Sequence, residues 1–193
     1  MSVKVETRKA QLIADTDEQP GAAFPDKIPT LKPAFAKDGS VTAANSSSIS
    51  DGAAALVLMR RSDANKRGLN TLAIIHAHAS HAQEPQWFTT APIGAINKVL
   101  DKAGWKKDQV DLFEINEAFA VVTMAAMHDL DLPIDKVNIH GGACALGHPI
   151  GASGTRIIVT LLNALEKYNL AKGVAALCIG GGEGTAIAVE RVS

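Results

Sequence analysis

Cysteine is scarce: Cys144 and Cys178 are the only two in 193 residues. Two cysteines cannot build a disulfide framework, and a reducing, cytoplasmic compartment is the expectation that follows. Aromatic residues make up 4% of the chain while alanine dominates the apolar ones, which favours closely packed helices and strands over a stacking surface. Excess charge is missing too. A formal net charge of −1 argues against nucleic-acid binding through a broad basic field and against a polybasic membrane surface. No apolar run reaches the roughly eighteen residues of a transmembrane helix, and Met1-Ser-Val-Lys-Val-Glu6 has no signal-peptide core. No Gly-Lys-Ser/Thr follows a glycine cluster, which excludes a P-loop. What remains is a soluble α/β globular protein with neither nucleic acid nor membrane as partner.

The first fifty residues differ from the rest. Val3 to Arg8 alternates like a strand, but Pro20, Pro25, Pro29 and Pro33 then interrupt regular structure. So long a stretch without periodicity points to a functional or partner-covered loop region, in which Leu31, Phe35 and Val41 need something to pack on. Gly52-Ala-Ala-Ala-Leu-Val-Leu-Met59 is a continuous apolar run, the pattern of a strand buried on both faces. Arg60 to Gly68 reads as a short solvated helix or turn and Thr71 to Ala79 as a strand. Thr90 stands as an N-cap with Pro92 in the first turn. Ile93, Ile96, Val99 and Leu100 form a helical stripe, and Gly104 closes it. Val110 to Ile115 reads as another strand. Ala118 to Leu130 is apolar nearly all round, the mark of a helix buried on most sides. Ile157, Ile158, Leu161, Leu162 and Leu165 predict a third helix. Strands 174–179 and 185–190 flank the glycines of a closing hairpin. The order implies helices layered on a sheet of mixed direction.

Ten of the 16 glycines fall after residue 140, and glycine at that density supports close backbone approach to a ligand. The two main clusters each carry one reactive side chain, His148 and Cys178. Pro149 restricts His148 toward extended conformations, so the imidazole is held in place for acid–base work near neutral pH. The alternative is a loop histidine satisfied by a carbonyl. Cys178 ends an apolar strand. It is either a small buried hydrophobe or a thiol whose thiolate, with a developing oxyanion, is stabilised by the N–H groups of Gly180 to Gly182. Cys144, among alanines, reads as structural. Asn116, at a strand–helix junction, either caps the helix or orients a water or carbonyl. His76, His78 and His81 raise a metal site, but no carboxylate or cysteine stands at ligand spacing, and no metal is expected.

Asn116-Glu-Ala-Phe-Ala120, Gly141 to Gly154 with its Gly147-His-Pro149 core, and Cys178-Ile-Gly-Gly-Gly182 resemble three signature blocks of the thiolases. Residues 41–55 resemble a fourth, in the same order along nearly the whole chain. The resemblance implies an α/β, thiolase-like layered α-β-α architecture with a mixed five-stranded sheet. It also implies condensation of two acetyl-CoA to acetoacetyl-CoA plus CoA, or the reverse thiolysis, through an acyl-cysteine. The stretch Asn116 to Val122 looks closer to the short-chain biosynthetic members than to long-chain degradative ones. Catalysis would fall to His148, Cys178, Asn116 and Gly180. His148 would activate the acyl-accepting cysteine and Cys178 would exchange a proton with the acetyl-CoA methyl. Asn116, holding a water, and His148 would line the oxyanion hole, and the Gly180 amide would stabilise the tetrahedral intermediate. Phe35, Ala43 and Ser47 match positions contacting CoA, and Ala118 and Phe119 are counted with them as CoA-binding. CoA thioesters would be substrates, with no permanently bound cofactor.

The family's acyl-accepting cysteine belongs to a segment that neither Cys144 nor Cys178 matches. The chain therefore reads as a C-terminal half, inactive alone. Residues 1–50 would be the end of a CoA-binding loop region, 51–70 the last strand and exit of a first core domain, and 71–193 the second core domain. A complementary N-terminal half and a homo-oligomer are the expected partners. Ala44 and Ser48 stand where glycines are common, and Gly21 where many members carry a basic residue. The competing readings are a thiolase of broader chain length and an inactive CoA-binding or dimerising fragment. A metal protein built on the three histidines is a further one.

Overall fold

The computed structural model describes residues 2–21 and 23–192, so Met1, Ala22 and Ser193 at or within the expected segment bounds lie outside it. A hairpin of two short exposed strands, β1 (Val3–Glu6) and β2 (Gln11–Ala14), opens the chain. One helical turn, α1 (Glu18–Gly21), and a 3-10 stretch at Pro25–Thr30 follow. The sequence predicts β1 but not β2, whose Gln-Leu-Ile-Ala has no apolar–polar alternation.

Past α2 (Arg61–Lys66) the chain enters a four-stranded sheet. The strands are β3 (Ala73–Ala82), β4 (Leu112–Ile115), β5 (Lys172–Ile179) and β6 (Glu183–Arg191). Their order is β3-β6-β5-β4, with β4 parallel to β5 and the other pairs antiparallel. The mixed direction is as expected, but four strands stand where five were. The segment after β4 makes a single parallel bridge, Phe113 to Val137. At Asn138 the backbone turns to φ +48°, which breaks any ladder there.

Alternate strand residues feed two cores. Phe113, Ile115, Val174, Ala176, Cys178 and Ala188 pack with α3 (Ala91–Ala103) and α4 (Ala120–Asp129) on one face. Leu112, Ala175 and Val189 pack with Ile157, Leu161 and Leu165 of α6 (Ser153–Lys167) on the other. Each fully buried Ile, Leu or Val of these stripes contributes about 1.5–3 kcal/mol. The layered α-β-α arrangement follows directly. Gly104 ends α3 in the left-handed region at φ +67°. Thr90 precedes α3 without capping it: its hydroxyl oxygen accepts from Gln83 Nε2 at 2.7 Å and its proton goes to the Trp87 carbonyl at 3.0 Å.

Two expectations need correction. Residues 51–60 form no strand, and Val57 and Leu58 are 86% and 72% exposed. The run has the composition of a doubly covered strand, but no strand among the described residues pairs with it. Helix α4 buries Val122, Thr123 and Ala126, while Val121 and Met124 stay exposed. Its second apolar face has no covering layer among the described residues.

Candidate active site

Strands β4 and β5 run parallel, so their carboxyl ends lie side by side. The amide of Asn116, just past β4, donates to the Ala176 carbonyl at 2.9 Å, two residues before Cys178. Asn116 is 1% exposed. It does not cap α4, whose first-turn flank is Phe119. Its Nδ2 instead faces Nε2 of His148 at 3.4 Å, and its Oδ1 is buried without a hydrogen-bond partner.

The loop bearing His148 is fixed from both sides. The short helix α5 (Ala143–Leu146) ends at Gly147, whose φ of +86° suits glycine and whose Cβ would displace the Ser50 hydroxyl. The His148 amide then donates to the Ser48 carbonyl at 2.8 Å. Residues 46–49 bridge the two loops, pairing Ser46 with Phe119 and Ile49 with His148. The ring's Nδ1 lies 2.6 Å from the Ser153 hydroxyl. Burial, and then the Arg156 charge, lower the His148 pKa below its ordinary value, so the imidazole is neutral at pH 7.

Cys178 is the penultimate residue of β5 and is buried with the α3/α4 core. Burial raises its thiol pKa, against a smaller opposing effect of a backbone hydrogen bond. Of the three glycine amides expected to serve its thiolate, one is spent elsewhere. Gly182 is buried and its amide is committed to the Ile179 carbonyl at 3.1 Å, whereas Gly180 is exposed.

Glu117, which the sequence reading gave no role, organises the neighbourhood. Its carboxylate accepts from Asn138 Nδ2 at 2.9 Å and from the Cys144 amide at 3.1 Å. Burial, with the Glu117 charge and hydrogen bond after it, pushes the Cys144 thiol up to about 11. That fits its structural reading. On the sheet's other face Glu114, 2% exposed, lies 3.8 Å from Arg156. Burial raises its pKa to about 7 against the lowering effect of Arg156, with Glu117 adding to the rise. The only sequence signal for this pair was a charged residue in the middle of an apolar strand.

Of the expected CoA-binding residues, Phe35 and Ser47 meet the Ala118–Phe119 segment. Phe35, 75% exposed, meets the Phe119 ring edge-on at 5.6 Å. The Ser47 amide and hydroxyl both donate to the Ala118 carbonyl, at 3.1 and 3.0 Å. Ala43 opens a short 3-10 turn whose flanking Thr42 amide donates to Asn45 Oδ1 at 2.7 Å. An open groove of about 370 Å³ runs between residues 50–54 and 149–152, and none of His148, Asn116 or Cys178 lines it. The three strand histidines do not converge. His76 pairs with Glu190 at 2.7 Å, His78 meets the Thr185 hydroxyl at 2.9 Å, and His81 meets Gln83 at 3.1 Å.

Residues 69–191 match the family description "Thiolase, C-terminal domain", and residues 1–62 match "Thiolase, N-terminal domain". A probable acetyl-CoA acetyltransferase of Dictyostelium discoideum is 53% identical over 176 residues, covering 91% of this chain and 42% of that protein. The acetyl-CoA acetyltransferase of Pseudomonas aeruginosa is 48% identical over 191 residues, covering 98% and 49%. Among solved structures, the Bacillus anthracis acetyl-CoA acetyltransferase superposes with a TM-score of 0.93 at 42% identity, covering 100% of this chain and 49% of that one. Human mitochondrial 3-ketoacyl-CoA thiolase gives 0.87 at 35% identity, covering 99% and 49%. The chain thus spans about half the length of the curated relatives it matches. No helix among the described residues is long and apolar enough to cross a membrane.

Proposed function

The chain belongs to the thiolase family, and from that premise we propose that it supplies the C-terminal catalytic residues of an acyltransferase. That enzyme condenses two acetyl-CoA to acetoacetyl-CoA and CoA, or runs the reverse thiolysis. The observation that carries the reading is the Asn116–His148 contact at 3.4 Å, with Asn116 Oδ1 buried and unpartnered beside it. An orphaned acceptor is costly unless a water or ligand group satisfies it, and a water held there gives the second donor an oxyanion needs.

In this reading His148 Nε2 takes the proton of an acyl-accepting cysteine that is neither Cys144 nor Cys178. The resulting thiolate attacks the acyl-CoA carbonyl and CoA leaves as the thiol. Cys178 serves as the second thiol. In thiolysis it donates its proton to the departing acetyl-CoA carbanion, a role that suits a thiol kept protonated by burial. In condensation it removes that proton, once the Gly180 amide and bound substrate favour its thiolate. Phe35, Ala43, Ser47, Ala118 and Phe119 form the wall on which CoA lies.

The domain division proposed is a CoA-binding loop region at 1–50, an exit segment of a first core domain at 51–70, and a second core domain at 71–193. The exposed Val57 and Leu58 then suit burial against a complementary N-terminal half. The working compartment is read as cytoplasmic, and the whole enzyme as a homo-oligomer. Acetoacetyl-CoA thiolysis by this chain mixed with that half tests the reading. Turnover is expected from the mixture, lost on His148→Ala or Cys178→Ala. Turnover by the chain alone would remove the claim that it needs a partner, and no turnover from a folded, CoA-binding mixture would leave the inactive-fragment alternative.

A further inference from the structure

Ser153, in the first turn of α6, is 1% exposed. Its Oγ lies 2.6 Å from His148 Nδ1 and 3.1 Å from the carbonyl oxygen of Pro149. A hydroxyl has one proton to give. The Pro149 oxygen can only accept, and it already takes the amides of Ala152 and Ser153 at 2.8 and 2.9 Å. With the hydroxyl proton directed there, a lone pair of Oγ is left facing Nδ1. At the far side of the ring Nε2 faces Asn116 Nδ2, a donor, at 3.4 Å. A proton on Nε2 would set two N–H groups against each other.

With the Ser153 proton on Pro149 and Asn116 Nδ2 on the ring, both sides of the imidazole are satisfied by the same arrangement. We propose that Ser153 is a positioning residue that holds the neutral His148 ring in its Nδ1–H tautomer, leaving the Nε2 lone pair free to take a proton. The tautomer decides chemistry because an imidazole accepts a proton only at its unprotonated nitrogen. When a thiol approaches Nε2, the S–H bond breaks and an N–H bond forms there. The products are a thiolate and an imidazolium whose Nδ1–H stays bonded to Ser153. This consequence rests on the reading of His148 as the base, whereas the tautomer itself does not. The lowered pKa of His148 keeps the ring neutral at the pH where the tautomer matters.

The test is a long-range proton–nitrogen correlation spectrum of the 193-residue chain labelled with nitrogen-15 histidine, slightly above neutral pH. The unsubstituted chain should show a pyrrole-type shift at His148 Nδ1 and a pyridine-type shift at Nε2. Ser153→Ala should lose the protonated Nδ1 signal and move toward Nε2–H. Ser153→Cys, whose thiol is a weak acceptor, should fall between. A protonated Nε2 in the unsubstituted chain overturns the proposal. It would mean that Ser153 donates and that the Asn116 carboxamide is turned with Oδ1 on the ring. So does an unchanged Nδ1–H in Ser153→Ala with a native amide spectrum. If Ser153→Ala fails to fold, an unchanged Nδ1–H in folded Ser153→Cys overturns it instead. A chain with the expected tautomer but no thiolysis on complementation would sink the functional reading and leave this one standing.

Discussion

The carboxamide of Asn138 takes both backbone groups of Ile115: Oδ1 accepts its N–H and Nδ2 donates to its C=O, each at 2.8 Å. A side chain thus does what a neighbouring strand would do at the last residue of β4. It leaves the chain free to turn at Asn116, and the same Nδ2 reaches Glu117 at 2.9 Å. One residue closes the ladder and steadies the loop that presents the site.

Asn138→Ala should therefore be among the more damaging polar substitutions. It strands the buried Ile115 N–H, at about 1–3 kcal/mol, while the Ile115 carbonyl keeps the Thr123 hydroxyl at 3.2 Å. It also puts Ala at φ +48°, a region Asn tolerates better. Urea unfolding followed by circular dichroism measures the loss. Asn138→Asp, keeping the acceptor but not the donor, should fall between.

Asn116→Ala should separate stability from activity. The substitution removes one long contact and one orphaned oxygen, so the unfolding free energy should change by less than about 1 kcal/mol. In the complemented enzyme, kcat should fall by about 10²–10³ with KM little altered, the size expected for one lost oxyanion donor. An equal fall in stability would instead mark Asn116 as structural.

Glu114 gives the fold a pH dependence of unusual sign. Its carboxyl titrates near 7 when folded against 4.5 as the ordinary value. Between those pH values the folded chain holds a proton that the unfolded chain releases. Its contribution is complete below 4.5 and is lost as pH rises through 7, by up to about 3 kcal/mol. Denaturant unfolding across this range should show stability falling with pH, and Glu114→Gln should flatten that slope whatever it does to the absolute value.

Cys144 should alkylate slowly despite being only half-buried. With its thiol near 11, about one molecule in a thousand is thiolate at about pH 8. Rates by mass spectrometry should climb steeply with pH. Burial is the main cause and Glu117 the next, so Glu117→Gln should speed the reaction in a chain that retains its fold.

Much of the fold is legible in the sequence. The stripe of Ile96, Val99 and Leu100 and that of Ile157, Leu161 and Leu165 mark α3 and α6, because a helix buried on one side must repeat every three to four residues. The hairpin of β5 and β6 was legible from two apolar runs around glycine. Reactive side chains set among glycines and strand ends single out His148, Cys178 and Asn116 as candidates, and the fold brings Asn116 and His148 within 3.4 Å. Periodicity misled where burial depends on a layer the described residues do not contain. Met124 and Val57 have the composition of core and the exposure of surface.

The sequence by itself determined the family, the layered class and which side chains are candidates for the chemistry, since these follow from local pattern and residue type. Only the tertiary structure decided how those side chains are held. Ser153 supports His148 across five residues, Asn138 holds Ile115 across 23, and Ser47 pins Ala118 across 71. Serines and asparagines at such separations carry no periodic signal. A polar side chain becomes specific only when folding removes water and leaves one partner within reach.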